Sequence, residues 1–407
     1  MLCDIKEESI LESEKTSLFG NGLLWFGAAV SIAEILTGTF IAPLGFVKGA
    51  IAILLGHLIG GTLMYFAGLI GGRTEKSAME TVRISFGSKG ALLFSALNIL
   101  QLVGWTAVMI ISGARATGVI ANPAFGTRGE LLWCIIIGVL IIAWILVGMK
   151  NLSKVNTFAI GALFLLTVVL STVVFGKGSA GTVEGTMSFG AAVELAAAMP
   201  LSWLPLISDY VKRARKPKAA ALVSSGAYFV GSCWMYIIGL GAAIFAGESD
   251  IAQIMLQVGM GLIGIYIIIV ATVTTTFLDA FSAGVSFKTI APKLDEKWTA
   301  VMITVIGMFL AMSTPIEQYE NFLFLIGSVF APMIAILITD FFILKKDHTK
   351  ESFNVSNLVL WAVGFAIYRI FLTADTVLGS TLPVMVAISL LCIIVNGGKG
   401  YVQKIRG

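Results

Sequence analysis

The sequence predicts an all-α integral membrane protein with about twelve transmembrane helices. Of its 407 residues, 57% are hydrophobic and only 12% are charged, and the mean hydropathy is +0.96. Apolar runs of roughly 20 residues, each long enough to cross a hydrocarbon core of about 30 Å, recur along almost the whole chain. One of these runs contains two prolines, Pro200 and Pro205. A helix interrupted within lipid is tolerated mainly where its freed backbone groups face a cavity.

The apolar runs divide the chain into a core and two peripheral parts. We predict an N-terminal cytosolic tail at 1–20, a ten-helix core at 21–344, and two peripheral helices with a cytosolic C-terminal tail at 345–407. The predicted spans lie near 22–45, 48–71, 90–114, 131–149, 156–175, 188–210, 219–246, 257–286, 297–314, 320–344, 355–374 and 381–397.

Lysine and arginine concentrate in alternate loops, at 73–89, 150–154, 212–218, 288–297 and 345–350, and in the tail at 399–406. The intervening loops carry acidic residues and few cations. Because cytosolic loops are enriched in Lys and Arg, this pattern predicts a multi-pass protein of the plasma (inner) membrane with both termini in the cytosol. The four cysteines are scattered and have neither disulfide nor metal-binding spacing.

The first and sixth spans are both interrupted. The first carries small and polar residues at 31–34 and 37–39, and the sixth carries the two prolines. Two broken helices five spans apart are typical of an inverted five-plus-five repeat, here about 21–175 and 188–344. The alternative is that these residues only reflect the frequency of Gly and Pro in membrane helices.

Charged residues within the spans are few and costly, so each is informative. Glu34 lies near the middle of the first span with Ser31 one turn before it, and Asp279 lies deep in the eighth span on one face with Thr275. Either these carboxyl groups line a buried polar binding site, or each pairs with a neighbouring helix for structure; we favour the site. Asp209 lies beside basic residues, which favours a structural or gating ion pair. Glu194 lies at a helix start, so we expect it at the membrane interface.

Tryptophan at membrane depth is unusual, because most membrane tryptophans lie at the interfaces. Trp105, one turn after Gln101, is either a stacking platform for a flat ring or a packed core indole. Trp203, just after Pro200, is a second candidate platform. His57 is a lone histidine, which favours a structural role over a proton relay. The hydroxyl run 274–276 in the eighth span supplies hard oxygen ligands suited to Na⁺.

The sequence contains no motif of an enzyme. It has no phosphate-binding glycine loop, no Cys/His cluster and no nucleophile paired with a base. The polar candidates instead lie at mid-membrane depth, where transporters bind their substrates.

Three segments resemble the nucleobase:cation symporter-1 family of purine and pyrimidine permeases. These are the first-helix segment 25–32 (WFGAAVSI), the loop 81–90 (TVRISFGSKG) and the end of the sixth helix, 208–217 (SDYVKRARKP). Within the family, segment 274–284 (TTTFLDAFSAG) is most similar to the cytosine permease-like branch assigned to hydroxymethylpyrimidine, a thiamine precursor (the CytX type).

The resemblance implies a LeuT-type fold with substrate between helices one, three, six and eight. It implies ring stacking on Trp105, whereas the usual second aromatic falls on Pro200, so that Trp203 or Phe281 would substitute. It also places a first-helix polar residue at Ser31 and an eighth-helix polar ligand at Asp279. The family's Na⁺ ligands fall on Gly27, Val30, Val270, Val273 and Thr274.

Together these observations predict a secondary active importer of a small pyrimidine, driven by Na⁺ or H⁺ through alternating access. Alternatives are a cytosine or other nucleobase permease, an amino-acid or osmolyte carrier on the same fold, and a non-transporting membrane sensor. We expect no organic cofactor, no nucleic acid and no obligatory protein partner beside the lipid bilayer. The predicted substrate-binding residues are Ser31, Glu34, Gln101, Trp105, Ser202, Trp203, Thr275 and Asp279.

Overall fold

The computed structural model describes residues 15–125, 129–176, 181, 183–247, 250–257, 261–313 and 319–397. These residues form sixteen α-helices. In the first half they are α1 Leu18–Ala29, α2 Ile32–Phe40, α3 Phe46–Thr74, α4 Ala78–Phe86, α5 Gly90–Phe125, α6 Glu130–Val147 and α7 Met149–Gly176. In the second half they are α8 Phe189–Ser202, α9 Leu204–Val211, α10 Pro217–Gly241, α11 Ile251–Gln257, α12 Gly261–Ile290, α13 Glu296–Ser313, α14 Tyr319–Ile338, α15 Val355–Ala374 and α16 Thr381–Cys392. Short π-helical turns extend α10, α14 and α16.

Hydroxyl and amide side chains set the starts of several helices. Ser17, Ser31 and Ser188 each accept a hydrogen bond from the backbone N–H three residues later, at 3.0, 3.4 and 3.1 Å, respectively. Such caps satisfy donors that the helix itself leaves free. The cap at Ser31 differs from the other two, because it starts a new helix in the middle of the first span.

Nine helices in the described part of the chain are long and apolar enough to cross a membrane, and the bent pair α1 and α2 makes a tenth span. Shorter apolar helices at Ile160–Gly176 and Thr381–Gly397 stand at the fifth and twelfth positions. The structure therefore has the predicted order of about twelve membrane helices. The first span bends by 51° between α1 and α2, where we predicted a break.

The interruption of the sixth span is smaller than we predicted. Only Trp203 separates α8 from α9, and Phe189–Val211 passes as one span of 23 residues. The reason is that Pro205 lies in the first turn of α9, where a missing N–H costs no helical bond. The N–H of Trp203 still bonds to the Pro200 carbonyl at 3.2 Å.

Two acidic residues of the sixth span bind neighbouring elements. Asp209 accepts a hydrogen bond from the N–H of Ala78 at 2.8 Å and so caps the loop helix α4. Glu194 is 2% exposed, whereas we expected an interfacial position. It accepts hydrogen bonds from the N–H groups of Ser380 and Thr381 at 2.6 and 2.7 Å, and from the hydroxyl of Tyr368. Glu194 therefore fastens α15 and α16 to the sixth span.

Candidate functional site

Three contacts fix the register between the third span, α5, and the eighth span, α12. The Thr289 hydroxyl donates to Ser95 Oγ at 2.7 Å, and the Asn98 side-chain amide donates to Ser286 Oγ at 2.8 Å. Further along, a Cβ built on Gly113 would lie 2.7 Å from the Thr272 hydroxyl. The two helices thus run antiparallel with one constant register.

This register places Asp279 at the level of Trp105. Trp105 lies seven residues after Asn98, and Asp279 lies midway between Thr272 and Ser286, so each shares the helix face that meets the other span. Trp105 is 7% exposed and Asp279 is 3% exposed. The two residues that we predicted as stacking platform and polar ligand therefore belong to one buried layer.

Polar atoms in this layer lack hydrogen-bond partners among the described residues. They are Gln101 Oε1, Trp105 Nε1 and Thr275 Oγ1. Asp279 likewise accepts no hydrogen bond from the part of the chain that the structure describes. Buried polar groups are nearly always paired, and unpaired ones call for an explanation. By this register Gln101 and Thr275 lie on opposite sides of the level of Trp105 and Asp279, about one helical turn away each, so a small polar molecule at that level would partner Asp279 and one of its two neighbours.

The sixth span contributes its backbone to the same layer. The Leu206 N–H bonds to the Trp203 carbonyl at 3.0 Å, so the Ser202 carbonyl lacks the bond that a regular helix would supply. Gln101 Nε2 donates to that carbonyl at 2.8 Å. The Ser202 hydroxyl donates to the Ala198 carbonyl at 2.9 Å, which leaves its oxygen as an acceptor only. The Gln101 side chain is thereby fixed with its Oε1 free.

Two aromatic rings of the tenth span, α14, hold Trp105 in place, and sequence reasoning missed both. Tyr319 and Phe322 make T-shaped contacts with the indole, with ring centroids 5.9 and 5.6 Å away. The Tyr319 hydroxyl also contacts Thr37 Oγ1 in α2 at 3.1 Å. Both rings therefore contact the Trp105 indole in an edge-to-face geometry, which stabilises aromatic pairs. Only the long-range packing of α14 could have revealed these partners.

Trp203, the second predicted platform, lies in a different aromatic cluster. Its ring is 5.4 Å from Trp25 and 6.0 Å from Tyr228, and Trp25 is fully buried. Phe281, the other candidate, stacks on Phe277 with centroids 5.7 Å apart. Both rings thus have protein partners of their own in this conformation.

Glu34 is directed toward the seventh span, α10. Tyr228 donates to its Oε1 at 2.5 Å, and its Oε2 lies 2.7 Å from the Ser232 hydroxyl. We predicted Glu34 as a substrate ligand, but both of its oxygens already have protein partners. Ser31, by contrast, lies at the break between α1 and α2, 5% exposed.

The predicted Na⁺ ligands of the first span lie at this break. The Ser31 N–H bonds to the Ala29 carbonyl at 3.0 Å, so the Gly27 carbonyl lacks the bond that a continuous helix would supply. A cavity of about 40 Å³ adjoins the break, lined by Val30 and Ser31 of the first span, Ala271 of the eighth, and mostly apolar residues of α7, α10 and α11. Unwound carbonyls of this kind coordinate Na⁺ in transporters with broken helices.

The eighth span carries the predicted hydroxyl ligand, Thr274, which is not among the residues that line the cavity. The Thr274 hydroxyl donates to the Val270 carbonyl at 2.9 Å and to the Ala271 carbonyl at 3.1 Å, which leaves lone pairs on its oxygen. Val273 is buried on the same helix. The described residues contain no group of three or more His, Cys, Asp or Glu that could hold a metal ion. The Na⁺ ligands assigned to Gly27, Val30, Val270, Val273 and Thr274 stay a prediction.

Comparison with known proteins identifies the family. A family model for permeases of cytosine and purines, uracil, thiamine and allantoin matches residues 12–395. The chain belongs to this family. It is 26% identical over 365 residues to the cytosine permease of Escherichia coli K12, which covers 85% of this chain and 82% of that protein. It is 21% identical over 400 residues to the hydantoin permease of Microbacterium maritypicum, with 88% and 81% covered.

Solved structures confirm the LeuT-type fold for this permease. The nucleobase-cation-symport-1 transporter Mhp1, closed with bromovinylhydantoin bound, superposes with a TM-score of 0.81 at 20% identity over 97% of this chain and 94% of Mhp1. A Na⁺-coupled sialic acid symporter superposes with a TM-score of 0.63 at 13% identity over 93% and 88%. The prediction of family and fold is confirmed, and the family members are permeases. The division into core and peripheral helices stays a prediction.

Proposed function

We propose that this permease is a secondary active importer of an aminopyrimidine, driven by a cation gradient through alternating access. The observation that supports this proposal is the buried layer in which Gln101, Trp105, Thr275 and Asp279 each carry a polar atom without a partner. A flat ring with a polar edge fills such a layer. We place both termini in the cytosol and the chain in the plasma membrane.

Each group has a complementary part on an aminopyrimidine. The ring stacks on the Trp105 indole, which contributes about 1–3 kcal/mol by analogy with bases on aromatic side chains. Asp279 accepts from the exocyclic amino group at the level of Trp105. Gln101 Oε1, one turn to one side, is a further acceptor, and the Thr275 hydroxyl bounds the layer one turn to the other side. Ser202 borders the layer through its carbonyl contact with Gln101, and we keep Ser31 and Trp203 as candidate neighbours of the ring.

Hydroxymethylpyrimidine and cytosine both carry the exocyclic amino group from which Asp279 would accept a hydrogen bond. We favour hydroxymethylpyrimidine, because segment 274–284 resembles the branch assigned to it. The second candidate is cytosine, and the 26% identity to cytosine permease supports it equally. A carboxylate-binding amino-acid carrier fits less well, because the layer presents aromatic and acidic side chains to its ligand and no cationic side chain among the described residues.

For the coupling ion we propose Na⁺ or H⁺. Gly27, Val30, Val270 and Val273 would hold Na⁺ through backbone carbonyls, and Thr274 through its hydroxyl. When bound, the cation supplies a positive charge at the break between α1 and α2. The carbonyls of that break orient it beside Ser31, so substrate and ion would stabilise the same local structure.

Binding to purified protein tests the proposal. Hydroxymethylpyrimidine, cytosine, uracil, hypoxanthine and a hydantoin are compared by calorimetry, each with and without Na⁺. We expect the two aminopyrimidines to bind most tightly. Preference for uracil or hypoxanthine would contradict the role of Asp279, and uptake that neither saturates nor depends on an ion gradient would indicate a channel or a sensor.

Trp105→Ala tests the stacking platform. Loss of about 1–3 kcal/mol weakens binding about 5-fold to 150-fold. Trp298→Ala is the matched control, because that tryptophan is 65% exposed. Equal affinity of both variants would refute stacking on Trp105.

A further inference from the structure

A chain of hydrogen bonds joins three spans inside the membrane. Glu34 of α2 contacts the Ser232 hydroxyl of α10 at 2.7 Å, and that hydroxyl contacts His57 Nε2 of α3 at 2.5 Å. Glu34 is 2% exposed, and Ser232 and His57 are fully buried. Nothing in the substrate layer or the Na⁺ site uses His57 or Ser232.

The far end of the chain fixes the tautomer of the histidine. His57 Nδ1 lies 2.9 Å from the Ile53 carbonyl. A carbonyl oxygen only accepts hydrogen bonds, so Nδ1 carries a hydrogen. A neutral His57 is therefore an acceptor at Nε2, and it needs the hydrogen of the Ser232 hydroxyl.

The serine has one hydrogen and two short contacts. If it donates to His57, it must accept at its other contact, so Glu34 must be protonated and donate. If it donates to Glu34, then His57 must carry a second hydrogen at Nε2 and donate to the serine. If Glu34 is a carboxylate and His57 is neutral, Glu34 Oε2 and His57 Nε2 are both acceptors. The single hydrogen of Ser232 serves one of them, and at the other contact the serine oxygen faces an acceptor with no hydrogen between them. Both contacts are satisfied only when the chain holds one additional proton.

We propose that Glu34, Ser232 and His57 form a binding site for a single proton that couples to substrate transport. In the loaded form the Glu34 carboxyl donates to Ser232, Ser232 donates to His57 Nε2, and His57 donates to the Ile53 carbonyl. This neutral arrangement avoids the cost of a buried carboxylate and imidazolium. Release transfers that proton to water and leaves Glu34 as a carboxylate. This inference rests on the proposed function as a symporter and names a coupling ion for it.

The other titratable groups around the site are weak acids. Tyr228 donates to Glu34 Oε1 at 2.5 Å, and Cys233 and Tyr236 of α10 and Tyr319 of α14 lie within electrostatic range. No lysine or arginine of the described residues forms an ion pair with Glu34. The proton is therefore the only positive charge that the described part of this site supplies.

Loss of the proton acts directly on the first span. The Ser232 hydroxyl must then release either Glu34 or His57, which loosens the contact of α2 with α10 or of α10 with α3. The first residue before α2 is Ser31, whose hydroxyl accepts from the Glu34 N–H at 3.4 Å. Protonation thus holds the half-helix that borders the substrate layer.

The test uses proteoliposomes, radiolabelled cytosine and Glu34→Gln. A glutamine at this position donates to Ser232 and accepts from Tyr228, so it imitates the loaded form permanently. Counterflow without any gradient measures substrate exchange, and uptake into vesicles one pH unit more alkaline inside measures proton coupling. One unit sustains about tenfold accumulation at one proton per substrate.

We expect wild-type protein to accumulate cytosine in response to the pH gradient, and Glu34→Gln to keep counterflow while its accumulation ratio falls to about one. Ser232→Ala should show the same loss, whereas Ser225→Ala should not, because that buried hydroxyl only bonds back to its own helix at 2.9 Å. Undiminished accumulation in Glu34→Gln would overturn the proposal, as would wild-type protein that exchanges cytosine in counterflow but does not accumulate it in response to the pH gradient.

A measurement without substrate separates this inference from the proposed function. Infrared difference spectra between neutral and alkaline pH, recorded in an Asp279→Asn background, report the carboxylic acid C=O band. We expect the band to disappear on alkalinisation and to be missing after Glu34→Gln. The same band in both proteins would overturn the proton site even if cytosine is transported, and its loss would support the site even if cytosine is not.

Discussion

Replacing Glu194 by alanine should detach the last two helices from the core. Its carboxylate receives the N–H groups of Ser380 and Thr381 at 2.6 and 2.7 Å and the Thr381 hydroxyl at 2.7 Å, besides the Tyr368 hydroxyl. The two hydroxyls can find other partners, but two buried backbone donors cannot. At about 1–3 kcal/mol for each donor left unsatisfied, the loss is about 2–6 kcal/mol.

Glu194→Gln should cost less, because its carbonyl oxygen still accepts from both backbone N–H groups. Its amide nitrogen replaces Oε1, so the Tyr368 and Thr381 hydroxyls must turn from donors into acceptors. The assay is unfolding in mixed micelles with rising SDS, in which a shift of midpoint at constant slope reports the change in free energy. The control is Glu296→Ala, which removes an exposed ion pair with Lys288 at 2.9 Å and should cost at most about 1 kcal/mol.

The order of the three variants decides the matter. If Glu194→Ala loses no more stability than Glu296→Ala, the hydrogen bonds to Glu194 do not fasten α15 and α16 to the sixth span. Cytosine binding by Glu194→Gln should remain normal, since the residue lies outside the candidate substrate layer. A loss of binding without a loss of stability would place Glu194 in the site and contradict the reasoning.

Three further predictions follow from close contacts and charges. Gly104→Ala places a Cβ 2.6 Å from an aromatic ring that supports the stacking platform, so we expect weaker cytosine binding and a loss of about 1–3 kcal/mol of stability, whereas Gly226→Ala, with open space around it, should cost neither. Asp279→Ala should weaken cytosine binding about 5-fold to 150-fold, since leaving a buried donor of the substrate without its acceptor costs about 1–3 kcal/mol; an unchanged Kd would contradict its role. Burial raises the pKa of Glu80, but the hydrogen bonds of its helix cap and nearby cations outweigh this and lower the pKa overall, so the stability it contributes is present at neutral pH and is lost as the pH falls below the usual range of glutamate. The difference in unfolding midpoint between wild type and Glu80→Gln, followed from pH 7 downward, should shrink only there.

The number and order of the spans were predictable because burial in lipid depends on each segment separately. The break at Ser31 was predictable for a similar reason, since a polar cap inside an apolar run is a local signal. The sixth span shows the limit of such reading. Proline in the first turn of a helix is compatible with a nearly continuous span, and only the position of Pro205 relative to Trp203 distinguishes the two cases.

Partners distant in the chain were not predictable. Glu34 finds its two hydroxyl partners on α10, and Trp105 finds its supporting rings on α14, through contacts between helices that have no trace in local composition. Glu194 looked like an interfacial residue because it lies near a helix start, whereas packing against α16 buries it. In each case the residue was singled out correctly as unusual, and the long-range contact determined what it does.

Trp105 and Asp279 lie at the same level on facing helices, and this has a consequence for how substrate specificity evolves. One residue is encoded early in the gene and the other late, and each sits on a different half of the inverted repeat. A new substrate can therefore be accommodated by substitution in either half, but a change that enlarges one side of the layer calls for a compensating change on the other. Among homologues we expect residues at these two positions to vary together, and hybrids that join halves of two permeases to lose recognition unless both positions come from the same parent.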